Sequence, residues 1–265
     1  MKVWAVANQK GGVGKTTSTV SLASLLAAKG FRTLMVDMDP HGSLTVYFGH
    51  DPDTIELSAY SLFQVANVAT SDIPQRVIQT TDFENLDLLP SSTAMATLDR
   101  QLGSQDGKGL VLQRVFQQLE GRYDYVLIDC PPILGVLMVN AMAACQRLLI
   151  PVQTEFLALK GLDRMMRTVS MISRARKTPL GLHIIPTMFD RRTRASHEAL
   201  TQVRRDYPKQ VWSSVIPVDT QFREASRKGV PLPLMRASSR GSIAYRELLF
   251  WLLEQDNAGA GAERL

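Results

Sequence analysis

Apolar and polar positions alternate between two periods along this chain. Val3 to Ala7 is a short run of strand-formers, and Thr16 to Lys29 follows with apolar residues at helical spacing. The same alternation recurs. Strands are expected at 32–37, 86–89, 123–129, 148–152, 180–188 and 211–216. Helices are expected at 93–102, capped by Ser91 or Ser92, at 110–119, from Leu162 through Ile172, and at 243–254. Residues 44–83 carry the weakest pattern, with short helices expected, one over 58–68, and residues 105–109 read as a turn. Strands that alternate with helices throughout predict an α/β fold: a mostly parallel, doubly wound sheet with helices on both faces. No linker or repeat divides it, so residues 1–255 read as one domain, with 256–265 a Gly/Ala-rich tail expected to be disordered.

Composition changes this picture little. At 265 residues, 45% hydrophobic and 21% charged, the chain can bury a core without staples. No apolar run reaches membrane-span length, and the first strand begins at once, so a cytoplasmic protein without a secretory signal is expected. Cys130 and Cys145 read as buried free thiols, and the four histidines show no metal-ligand spacing. Charge is more telling. Residues 174–240 hold 14 Lys/Arg against 5 Asp/Glu, a net +9, whereas the rest holds 16 against 20, a net −4. A basic second half suits an anionic partner, or is simply a solvated surface.

The chemistry concentrates in Gln9-Lys10-Gly11-Gly12-Val13-Gly14-Lys15-Thr16-Thr17. Strand, glycine loop and helix together form the context of a phosphate-binding loop. The glycines let backbone N–H groups turn toward phosphate oxygens, and the helix start adds its own free N–H groups. Lys15 then meets the β- and γ-phosphates and the Thr16 hydroxyl meets Mg²⁺. Downstream, Asp37-Met38-Asp39-Pro40 ends the second strand, and Asp129 ends a hydrophobic strand before Cys130-Pro131-Pro132. Both are carboxylates at the edge where a parallel sheet presents its ligands.

Lys-Gly-Gly-Val-Gly-Lys-Thr-Thr resembles the deviant Walker A loop of the ParA/MinD family of P-loop ATPases. The segments at 34–40, 123–132 and 148–162 resemble that family as well. The resemblance implies ATP and Mg²⁺ as cofactors and an ATP-dependent sandwich dimer. In it, Gly11, Gly12, Val13, Gly14, Lys15, Thr16 and Thr17 cradle phosphates. Lys10 reaches the partner subunit's ATP, Thr16 and Asp129 serve the metal, and Asp39 positions the attacking water. Thr187, Met188, Pro217 and Asp219 frame the adenine. A slow, partner-stimulated hydrolysis then positions or segregates cargo.

Arg191, Arg192 and Arg194 at a strand-to-helix turn, with Arg223, Arg227 and Lys228 beyond, form the expected nonspecific DNA surface. His41, Ser43 and Val218 depart from the family's usual D-P-Q-G-N and I-P-R-N segments. These departures point to the branch that places protein cargo such as chemotaxis arrays, at the nucleoid or a pole. Three alternatives stand beside it. One is a partition ATPase working with a centromere-binding adaptor. Another is a MinD-like membrane ATPase, disfavoured because the last helix carries Arg246 as its sole base and reads as core. The third is an iron–sulfur electron carrier, disfavoured because Cys130 directly follows the strand-end aspartate.

Overall fold

The computed structural model describes all residues but 66, 99–100, 102–107, 177 and 263–265. Among the described residues, seven strands form one sheet in the order β3-β4-β2-β5-β1-β6-β7. They are β1 (Lys2–Val6), β2 (Thr33–Asp37), β3 (Gln79–Thr80), β4 (Leu86–Leu89), β5 (Tyr125–Asp129), β6 (Arg147–Gln153) and β7 (Gly181–Thr187). Every pairing is parallel except β3 with β4. The two-residue β3 at the edge carries too little apolar pattern to be read from sequence.

Alternation along β1 assigns the two faces. Val3 and Ala5 pack with Val126, Ile128, Leu148 and Ile150 under the helices at 111–118, 136–144 and 156–175. Trp4 and Val6 pack with Met35, Leu127 and Leu149 on the other face, under α1 (Lys15–Ala28) and the last helix. Each fully buried Val or Leu contributes roughly 1.5–3 kcal/mol. The central strands therefore stay buried on both sides, and their carboxyl ends are held at one rim. Cys130 and Cys145 are free and buried, as expected.

Three expectations need correction. Residues 211–216 form no strand: isolated bridges link Val211 to Ile184 and Pro217 to Phe189. Backbone bonds from Trp212 and Ile216 reach Ile184 and Pro186, but the chain between them turns away at Ser213-Ser214. The helix expected over 93–102 is a 3₁₀ turn at Thr93–Thr97, and neither serine caps it by its side chain. Ser91 instead donates to the Asp39 carbonyl at 2.7 Å. Residues beyond Leu98 fall largely outside those described, as does most of the turn expected at 105–109. The last helix spans Arg240–Ala262, starting earlier and ending later than 243–254. Asp256, placed in the tail by sequence, pairs with the buried Arg147, whose Nη1 also donates to the Leu252 carbonyl at 3.1 Å. No helix among the described residues is long and apolar enough to cross a membrane.

Candidate active site

The loop after β1 is held from three sides. Asn8 donates through Nδ2 to the Pro151 carbonyl at 2.8 Å and accepts from the Lys10 N–H at 2.9 Å. Gln9, which stands where the ordinary loop has its first glycine, donates to Thr168 Oγ1 at 3.1 Å. Thr187 donates to the Val13 carbonyl at 2.9 Å, so this β7 hydroxyl braces the loop from behind. Gly12 and Gly14 adopt φ of 71° and 93°, a left-handed backbone that disfavours side chains. A Cβ at Gly11, Gly12 or Gly14 would meet no atom within 4 Å, so the space over the loop is open. That opening belongs to a cleft of about 830 Å³ lined by residues 11–17, Asp39, His41, Gln153, Thr187, Met188 and residues 216–220.

The register of the sheet sets the carboxylates. Asp37 lies directly beside Asp129 on the neighbouring strand. Both are fully buried. Asp37 accepts from the Thr45 N–H and hydroxyl, both at 2.8 Å, and from the Asp39 N–H at 3.1 Å. It thereby anchors the short helix Ser43–Tyr47 under the loop, a role that spacing alone did not reveal. Burial still pushes its carboxyl up to about 7, against the pull of those donors. Burial, then the neighbouring Asp37, push Asp129 well above the ordinary carboxylate range, while the Thr16 hydroxyl and Lys15 pull it down.

Asp129 Oδ2 accepts from the Thr16 hydroxyl at 2.6 Å, and its buried Oδ1 has no hydrogen-bond partner among the described residues. An orphaned carboxylate oxygen beside a hydroxyl and below an open phosphate cradle fits a hard divalent cation. Mg²⁺ commonly takes one or two protein carboxylates and completes its shell with phosphate oxygens and water. Thr16 and Asp129 are the residues that would hold it.

The other site residues divide. Lys15 is nearly buried, with Nζ 3.5 Å from the Lys10 carbonyl. Lys10 points elsewhere: its ammonium pairs with Glu155 and lies 3.5 Å from Gln153 Oε1. Asp39 stands at the rim, with Oδ1 accepting from the His41 N–H at 3.0 Å. At the far end, Met188 takes an unusual φ of 52° and Pro217 faces the cleft. Both Asp219 carboxylate oxygens accept backbone N–H groups, from Gln221 and Gly241, each at 3.0 Å. Its side chain shapes the pocket wall.

The basic residues are less free than their count suggests. Arg192 pairs with Asp190, Arg194 with Glu198 and Arg227 with Glu224. The Arg192 guanidinium holds Asp190 well below the usual carboxylate range. Arg223 lines the nucleotide-sized cleft, apart from the 191–194 turn.

A family model described as an AAA domain matches residues 1–182. The sporulation initiation inhibitor protein Soj of Bacillus subtilis is 36% identical over 93% of this chain and 96% of its own length. The chain belongs to the ParA/MinD family of P-loop ATPases. The chromosome partitioning protein ParA of Myxococcus xanthus is 33% identical over 100% of this chain and 92% of its own. Among solved structures, cobyrinic acid a,c-diamide synthase from Mycobacterium smegmatis, with bound ADP and magnesium, superposes with a TM-score of 0.82 at 35% identity. That match covers 97% of this chain and 96% of the other. Membership agrees with the doubly wound sheet, the loop at 9–17 and the strand-end Asp129.

Proposed function

We propose that this ATPase binds Mg²⁺·ATP in the cleft over residues 11–17 and closes as a two-fold sandwich whose cycle positions cargo. The placement of Lys10 carries this reading. Its ammonium turns away from the cradle that Lys15 serves and rests on Glu155 at the rim. Exposed apolar side chains lie on the segments after β5 and β6: Ile133, Leu134, Phe156 and Leu157, the last two 65% and 71% exposed. An apolar rim of this kind suits burial against a second copy, with Lys10 extending into the partner's phosphates. Lys15 and the loop N–H groups hold the β- and γ-phosphates, and Asp39 orients water. Bound Mg²⁺ neutralises charge on the phosphate oxygens.

DNA binding supplies the anchoring step. Arg191, Arg192 and Arg194, with Arg223, Arg227 and Lys228, are its contacts. One subunit touching about three phosphates gives a salt slope near −3, and two subunits joined by ATP give about −5. The departures at His41, Ser43 and Val218 favour a protein cargo such as a chemotaxis array. The chromosome-partitioning names of some relatives favour a DNA cargo with a centromere-binding adaptor.

Sedimentation with and without Mg²⁺·ATP tests the dimer. A species that doubles in mass with ATP, and fails to do so in Lys15→Ala, is expected. A chain that stays monomeric with ATP even as Asp39→Ala contradicts the proposal. A pull-down from native cells then separates the cargoes by whether a DNA-bound adaptor or a polar scaffold protein is recovered.

A further inference from the structure

His41 is a departure from the family's usual glutamine, and it does not stand idle. Its ring Nδ1 lies 2.9 Å from Asp39 Oδ1, the oxygen that already accepts the His41 backbone N–H at 3.0 Å. Two donors from one residue thus grip one carboxylate oxygen. The Asp39 side chain is 14% exposed, while the His41 side chain is 79% exposed. The ring therefore keeps Nε2 on the solvent side as it turns Nδ1 inward. The Asp39 N–H is fixed in turn by Asp37, and Ser91 holds the Asp39 carbonyl.

We propose that His41 is a positioning residue for hydrolysis: by clamping Asp39 Oδ1 it presents Oδ2 to the attacking water. The inference rests on Asp39 orienting that water, as proposed above. The clamp needs a proton on Nδ1. A neutral imidazole supplies it as the Nδ1–H tautomer, leaving the full carboxylate charge available to the water. A protonated ring supplies it too, but its positive charge weakens Asp39 as a hydrogen-bond acceptor.

The test is phosphate release at saturating Mg²⁺·ATP at pH 8, with nucleotide affinity measured alongside by a fluorescent ATP analogue. His41→Ala should lower kcat about tenfold at pH 8, an effect at the lower edge of positioned proton chemistry, with nucleotide affinity little changed. His41→Gln keeps an N–H donor that does not titrate. It should return kcat at pH 8 to within about threefold of wild type. Because the ring is exposed, these variants should fold, which far-UV circular dichroism checks. Wild-type kcat in His41→Ala would overturn the clamp, as would a His41→Gln enzyme no faster than His41→Ala. Asp39→Asn separates the two ideas. Undiminished hydrolysis there would remove Asp39 from the mechanism altogether, whereas a dead Asp39→Asn beside indifferent His41 variants would remove His41 alone.

Discussion

The two ends of the nucleotide cleft are built on different principles. The end proposed to hold the phosphates is assembled from strand termini. Asp37 and Asp129 sit on adjacent buried strands, and the loop between β1 and α1 is pinned by Asn8, Gln9 and Thr187. The other end, proposed to hold the base, is assembled from loops. The chain at 211–220 touches the sheet through isolated bridges, and its shape comes from Asp219 capturing two backbone N–H groups. The first end has little freedom and carries the charge chemistry. The second is joined by a few polar contacts and carries shape. Substitutions at the first should damage turnover or its electrostatics, and those at the second should mostly cost stability or partner binding.

The largest effect belongs to the phosphate end. Lys15→Ala should abolish measurable turnover, since removing one such donor typically costs ~3–4 kcal/mol of transition-state stabilisation. Phosphate release at the wild-type rate would remove the assignment. The second effect is a pH dependence of stability without nucleotide or metal. The Asp37 carboxyl is raised to about 7 by burial, so the folded chain keeps a proton that the unfolded chain, titrating near its ordinary value, gives up. Stability then falls as pH rises through that window, by about 4 kcal/mol in all. Chemical denaturation from pH 4 to 8 should show the decline, with a shallower slope in Asp37→Asn. A slope of the opposite sign would show that the charged pair is compensated.

The base end should respond more modestly. A Cβ on Gly241 would come within 2.5 Å of the Phe222 ring, which packs edge-on against Tyr245, whose hydroxyl bonds Ser18 of α1. Gly241→Ala should cost about 2 kcal/mol by forcing that ring aside. An unchanged unfolding midpoint would mean that the ring yields freely. Smallest for the fold is the triple change Arg191→Ala/Arg192→Ala/Arg194→Ala. Exposed ion pairs of this sort contribute roughly 0–1 kcal/mol each, so stability should hardly move while DNA affinity and its salt slope drop. Normal DNA binding by that variant would place the contact elsewhere.

The same contrast explains what could be read from the chain. The phosphate end was legible because its chemistry is local. A run such as Val3–Ala7 followed by glycines and Lys15-Thr16 encodes strand, loop and helix within a few residues, and all the central parallel strands emerged within about two residues of their positions. What was missed depends on contacts between distant segments. The anchoring role of Asp37 was not legible because its donors, Thr45 and Asp39, are brought to it by the folded turn. The strand expected at 211–216 has the right residues, but Ser213-Ser214 interrupts its pairing with β7. The helix at 136–144 is apolar nearly all round and shows no polar face to mark its period. The last helix extends past Glu254 because Asp256 finds Arg147, more than a hundred residues away in sequence.

The central claim is that Lys10 acts on the other subunit's nucleotide, and mixing two inactive proteins tests it directly. Lys10→Ala retains Asp39, and Asp39→Ala retains Lys10. In a two-fold sandwich, a mixed dimer holds one complete site, assembled from the Lys10→Ala cleft and the lysine of its partner. An equal mixture should therefore recover about a quarter of wild-type turnover. If the mixture stays as inactive as its parents while mixed dimers form, Lys10 works within its own chain and the sandwich mechanism is contradicted.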